Sequence, residues 1–206
     1  MKRFVPILIL FFVLSFPVVV MAGSNSITIE FDNRASKWSP RLMLLANPVE
    51  EMMVDIRKGI GGSHLQILSG WNFNLGQNFV ITPYVGVGLD DKDDLRPIYA
   101  QAEVITFAKA GLSRNVFIAS YSLSVHEPKP DVIYFQEKAW LQLTPFCVGF
   151  LTDIVILPKD GGEISFWRLG VTAGYALTNR VMFTLWPNYE FQSESWGFRA
   201  GTTLKF

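Results

Sequence analysis

The chain ends Trp196-Gly-Phe-Arg-Ala-Gly-Thr-Thr-Leu-Lys-Phe206. In alternate steps, Trp196, Phe198, Ala200, Thr202, Leu204 and Phe206 form one set, and Gly197, Arg199, Gly201, Thr203 and Lys205 form the other. A period of two belongs to a β-strand, whose successive side chains point to opposite faces. The terminal segment therefore reads as a strand with one apolar face and one face of small and charged residues.

The same alternation recurs upstream. Phe117, Ala119, Tyr121, Leu123 and Val125 oppose Ser120, Ser122, Ser124 and His126. Leu65, Ile67, Trp71 and Phe73 oppose His64, Gln66, Asn72 and Asn74. Val181, Phe183, Leu185, Tyr189 and Phe191 oppose Met182, Thr184, Trp186, Asn188 and Glu190. No convincing helix separates these runs, so the chain is expected to be an all-β antiparallel meander. Ten to twelve strands are favoured, with eight as the lower alternative; Ser26 to Asp32, Ser39 to Asn47 and Met52 to Lys58 are the N-terminal candidates.

The connections alternate in kind. Residues 75–78, 111–115, 144–145 and 177–180 are short and nearly uncharged, whereas 90–96, 127–131, 158–163 and 192–195 are longer or more charged. Tight turns at one end and polar loops at the other suit an up-and-down barrel threaded through a membrane. Segments such as 79–89, 116–126, 132–142 and 196–206 are long enough for a tilted strand to cross the hydrocarbon. A soluble sandwich or ligand-binding barrel would use the same periodicity with the apolar face inward.

Composition of the faces favours the membrane. The non-apolar faces hold Gly, Ser, Thr, Ala and Gln with isolated charges, which suits a crowded interior. Aromatic residues lie near strand ends, as interfacial girdles require: Trp71, Phe73, Phe79, Tyr84, Tyr99, Tyr134, Trp140, Trp167, Tyr175, Trp186, Tyr189 and Trp196. Together with the Phe206 terminus and the strand-turn stretches Gly174-Tyr-Ala-Leu-Thr-Asn-Arg180 and Pro83-Tyr-Val-Gly-Val-Gly-Leu89, the chain resembles small bacterial outer-membrane barrels of the OmpA/OmpX/OmpW kind. That resemblance implies contact with outer-membrane lipid and lipopolysaccharide. It also implies that a closing strand ending in Trp196, Phe198 and Phe206 is read by the barrel assembly machinery.

The N-terminus supports export. Lys2 and Arg3 precede an apolar run, and Val20 and Ala22 offer a cleavage site, the pattern of a signal peptide spanning residues 1–22. Residues 23–206 then form the barrel domain, expected in the outer membrane of a Gram-negative-type bacterium. The full chain has 18 basic and 18 acidic residues, and the leader takes two of the basic ones. A near-neutral chain is no nucleic-acid binder by bulk electrostatics. The lone Cys147 allows no internal disulfide.

Interior charges must pair where a barrel is filled by side chains. Alternation puts Glu103, Lys109, Lys138, Asp153, Arg168, Glu190, Arg199 and Lys205 inside, as a charge network that closes or lines the lumen. The expected role is structural or interactive at the envelope, or a narrow passive pore. Glu137 is a misfit on the apolar face, calling for either a bulge or an interfacial position.

Ser124 and His126 share a face near a strand end and form the minimal nucleophile-base pair. They are weak candidates for a lipid A-modifying hydrolase: the lipid A deacylase family carries H-x-S-N, and here the order is S-x-H followed by Glu127. No metal-ligand spacing appears, and the Asp90-Asp-Lys-Asp-Asp94 run lacks the glycine and glutamate of an EF-hand. No phosphate loop, dinucleotide fingerprint or cofactor motif is present.

Overall fold

A computed structural model describes residues 25–34, 37–49, 51–59, 64–90, 96–125, 130–158 and 161–206. The leader, His126, and residues 91–95, 127–129 and 159–160 of the loops named above lie outside the described residues.

Thirteen strand segments follow one another: β1 (Ser26–Arg34), β2 (Lys37–Val49), β3 (Met52–Gly59), β4 (His64–Trp71), β5 (Phe73–Asn74), β6 (Phe79–Asp90), β7 (Arg96–Ala110), β8 (Ser113–Ser124), β9 (Val132–Leu143), β10 (Phe146–Leu157), β11 (Glu163–Ala176), β12 (Val181–Glu190) and β13 (Ser195–Lys205). β4 and β5 are one stave. Gly70 faces Tyr84 and Phe73 faces Ile81 in the same register across β6, and Asn72 between them accepts a hydrogen bond from the Thr82 hydroxyl at 2.6 Å. β1 pairs with β13 from Ser26↔Lys205 to Asn33↔Phe198, so the sheet closes into a twelve-stranded antiparallel barrel. Closure removes the edges that would otherwise expose unpaired backbone groups. The seam ends with the Phe206 amide donating to the Asn25 carbonyl at 3.0 Å.

The faces are inverted relative to a soluble protein. Ile29, Phe31, Val85, Val171, Leu185 and Trp196 point outward and are exposed, whereas Asp32, Glu103, Asp153, Arg168 and Asn188 point inward and are buried. Burying carboxylates while exposing valine and phenylalanine is unfavourable in water and favourable in lipid, where every backbone group must be satisfied within the sheet. The barrel is therefore a transmembrane one, and the soluble ligand-binding alternative is set aside.

Two expectations need correction. The segment expected at 116–126 begins three residues earlier, at Ser113. The aromatic residues divide by parity rather than joining one girdle. Trp167 stacks on Phe191 at 4.3 Å, and Tyr189 meets Trp196 edge-on at 5.5 Å, on the outer surface near the loop end. Trp71, Phe73 and Tyr175 lie outside near the tight-turn end. Tyr84 and Trp186 are buried in the lumen, and Tyr134 is turned inward to Asp153.

Inward glycines let strands close on one another. A Cβ at Gly149 would sit 1.9 Å from the Ala139 carbonyl oxygen and 2.5 Å from Trp140 Cα, both backbone atoms. Gly149→Ala is expected to destabilise the barrel by roughly 1–3 kcal/mol, the range for overpacking. Urea titration of the folded protein in lipid vesicles measures it, and an unchanged midpoint would contradict the close approach.

Candidate functional site in the barrel lumen

Asp153 and Asp32 organise one wall. Asp153 on β10 faces Arg168 on β11 and Gln136 on β9 in register, and Asp32 on β1 faces Arg199 on β13. Arg168 reaches both carboxylates, donating to Asp32 Oδ1 and Oδ2 at 2.7 and 3.1 Å and to Asp153 Oδ2 at 2.8 Å. Arg199 Nη2 donates to the same two residues at 3.2 and 3.0 Å. The second oxygen of Asp153 accepts from Tyr134 at 3.0 Å and from Gln136 at 2.6 Å. Arg41 stands 3.7 Å from Asp32. Residues from β1, β2, β9, β10, β11 and β13 thus meet around two carboxylates.

Trp186 lies between the cations. The guanidinium carbons of Arg168 and Arg199 are 4.8 and 4.4 Å from its ring centroid, and Arg168 is also 4.7 Å from Phe166. A flat ring face attracts a guanidinium while covering it from water. The tryptophan expected in a lipid girdle is instead part of the lumenal clamp.

The opposite wall has its own cluster. Arg57 on β3 donates from Nε and Nη2 to Asp55 Oδ2 at 3.0 and 2.7 Å, and from Nη1 to Glu103 Oε2 at 2.9 Å, with a second bond to Glu103 Oε1. This fork fixes geometry more firmly than a single contact. Gln101 supports Glu103 at 3.4 Å, and Ser120 faces Glu103 across the β7–β8 ladder. Toward the tight-turn end of this wall, Met53, Leu68 and Tyr84 form a buried apolar cluster with Leu45 and Ile105 against it.

Accessibility is unequal between the signs. The side chains of Arg41 and Arg57 are 31% and 20% exposed, while those of Asp32, Glu103 and Asp153 are 0% exposed. Lys138 and Glu30 are partly exposed. Among the described lumenal charges away from the strand ends, Arg41, Arg57 and Lys138 are therefore partly exposed against Glu30, and Asp32, Glu103 and Asp153 lie beneath their partners.

The residues expected inside take different places. Glu103, Asp153, Arg168 and Arg199 enter the two clusters, whereas Lys138 lies over the Trp140 ring at 5.2 Å. Lys109 is exposed beside the turn after β7, and Glu190 ends β12 opposite Ser195. Asp32, Arg41, Asp55 and Arg57 were not anticipated as partners, although Asp55 and Arg57 share parity within β3. Trp196 on the closing strand and Phe206 just beyond it are exposed, and Phe198 is partly buried. Ser124 ends β8 with its backbone amide donating to Asp131 Oδ1 at 2.9 Å, and its suggested base His126 lies outside the described residues.

Glu137 meets neither condition proposed for it. The β8–β9 and β9–β10 registers run without a shift through Phe117↔Glu137 and Glu137↔Thr152. It sits near the middle of β9 on the outer face, where its Oε1 accepts from Asn115 Nδ2 at 2.9 Å.

No protein-family model and no curated protein matches this sequence. Solved structures match by shape. The KdgM porin aligns with a TM-score of 0.65 at 10% identity, covering 88% of this chain and 99% of its own. The NanC porin in a rhombohedral crystal form aligns with a TM-score of 0.68 at 8% identity, covering 88% and 100%. A KdgM porin in complex with disordered oligogalacturonate aligns at 0.64 with 10% identity, over 89% and 99% of the two chains. At such identities the likeness is one of fold. Twelve strands also exceed the eight of OmpA/OmpX-type barrels, and the architecture this chain shares over nearly its whole length is that of porin barrels.

Proposed function

We propose that this chain is an exported outer-membrane protein, its leader removed near Ala22, whose barrel is a narrow passive pore favouring small anionic solutes. The carrying observation is the unequal exposure of lumenal charge: Arg41 and Arg57 remain reachable by water while Asp32, Glu103 and Asp153 do not. A narrow low-dielectric passage magnifies such an excess, because nearby charges are poorly screened. The two clusters set the bore by tying opposite groups of strands to their own walls. In this orientation the tight turns lie in the periplasm and the loops outside, with the girdle aromatics against lipid and lipopolysaccharide and the Phe206 strand available to the assembly machinery.

Liposome swelling tests the reading. Vesicles carrying the purified barrel are expected to admit galacturonate faster than galactose, two solutes of similar size that differ by a carboxylate. The oligomer named for KdgM is the natural longer probe. Swelling no faster than in protein-free vesicles for either sugar would favour a plugged barrel with a structural role.

A further inference from the structure

We propose that the outer face of β8 and β9 around Glu137 is a contact surface for a second copy of this chain within the membrane. Among the described side chains, Glu137 is the charged one on the outer face that lies away from a strand end. A carboxyl group at that depth in hydrocarbon is unfavourable and marks a function by default. Asn115 meets one of its oxygens, yet a carboxyl group has several acceptor sites and the Asn115 amide has a second N–H to give.

Donor and acceptor in one patch make it self-complementary. A copy rotated about a two-fold axis brings Asn115 to Glu137 and Glu137 to Asn115, which is the arrangement of an isologous interface. The relief fits as well. Ala108, Asn115 and Ala139 stand side by side across β7, β8 and β9, and make a row of short side chains. Phe117 stands one step away on β8 and Phe150 flanks Ala139 on β10. A ridge beside a hollow lets the Phe117 ring of each copy enter the hollow of the other, and short residues allow sheets to approach closely in lipid. On β12 the outer face carries Phe183, Leu185 and Pro187 with no polar group among them.

The test is photo-crosslinking in intact outer membranes of cells making the full chain. A benzoylphenylalanine placed at Phe117 is expected to give a product of two copies, identified by mass, at least fivefold above the same group at Phe183. Glu137→Leu should reduce that product to the Phe183 level while the barrel still shows heat-modifiable migration, and Glu137→Gln, which keeps hydrogen bonding, should retain it. Asn115→Leu serves as the second disruptive variant if Glu137→Leu does not fold. Equal yields at Phe117 and Phe183, adducts only with lipid or with another protein, or a dimer product indifferent to both leucine variants would overturn the proposal.

Discussion

Asp153→Ala is expected to cost the barrel about 3–5 kcal/mol, the range for removing one partner of a buried ion pair. The loss is large because Asp153 collects four donors, from Arg168, Arg199, Tyr134 and Gln136. Without it Arg168 and Arg199 share Asp32, and a buried positive charge is left in excess. Asp153→Asn keeps an acceptor but not the charge and should fall between alanine and wild type. Asp153→Ala combined with Arg168→Met restores the balance of charge and should recover part of the loss. Urea titration of the heat-modifiable folded form measures all three. Equal stability of Asp153→Ala and wild type would mean that the clamp holds nothing together.

Charge reversal at Arg41 is expected to have the largest effect on permeation. Among the described lumenal charges open to water away from the strand ends, Arg41, Arg57 and Lys138 outnumber Glu30, so Arg41→Glu balances the signs there and should abolish anion preference. Arg41→Glu with Lys138→Glu should invert it. The fold is expected to tolerate the first change better than Asp153→Ala, because Asp32 keeps Arg168 and Arg199 when Arg41 is lost. Reversal potentials across planar bilayers in a salt gradient read the sign directly. An anion preference unchanged in the double variant would place the selective charges elsewhere.

What was legible in the sequence is what parity encodes. Arg199 sits among Gly197, Gly201 and Thr203 on the polar face of the last strand, and the structure turns that face inward. Glu103, Asp153 and Arg168 follow by the same count. Trp186 shows parity overruling residue type: its place beside Thr184 and Asn188 in the middle of β12 puts it in the lumen, although a tryptophan among so many aromatics suggests a girdle. Pairing was not legible, because it depends on closure. Asp32 meets Arg168 from 136 positions away in the chain, and Arg57 meets Glu103 across the two staves that separate β3 from β7. No local pattern states which charges will share a wall. Glu137 was visible as an anomaly from its neighbours Phe135 and Ala139, but its partner Asn115 required the β8–β9 register.

A lumen that is open, and positive where water reaches it, should select anions without any added variant. Wild-type protein in a planar bilayer separating unequal concentrations of potassium chloride tests it most directly. The expected result is a small steady conductance whose reversal potential is displaced toward the chloride equilibrium potential. Displacement toward the potassium equilibrium potential, or a folded barrel that passes no current, would contradict it.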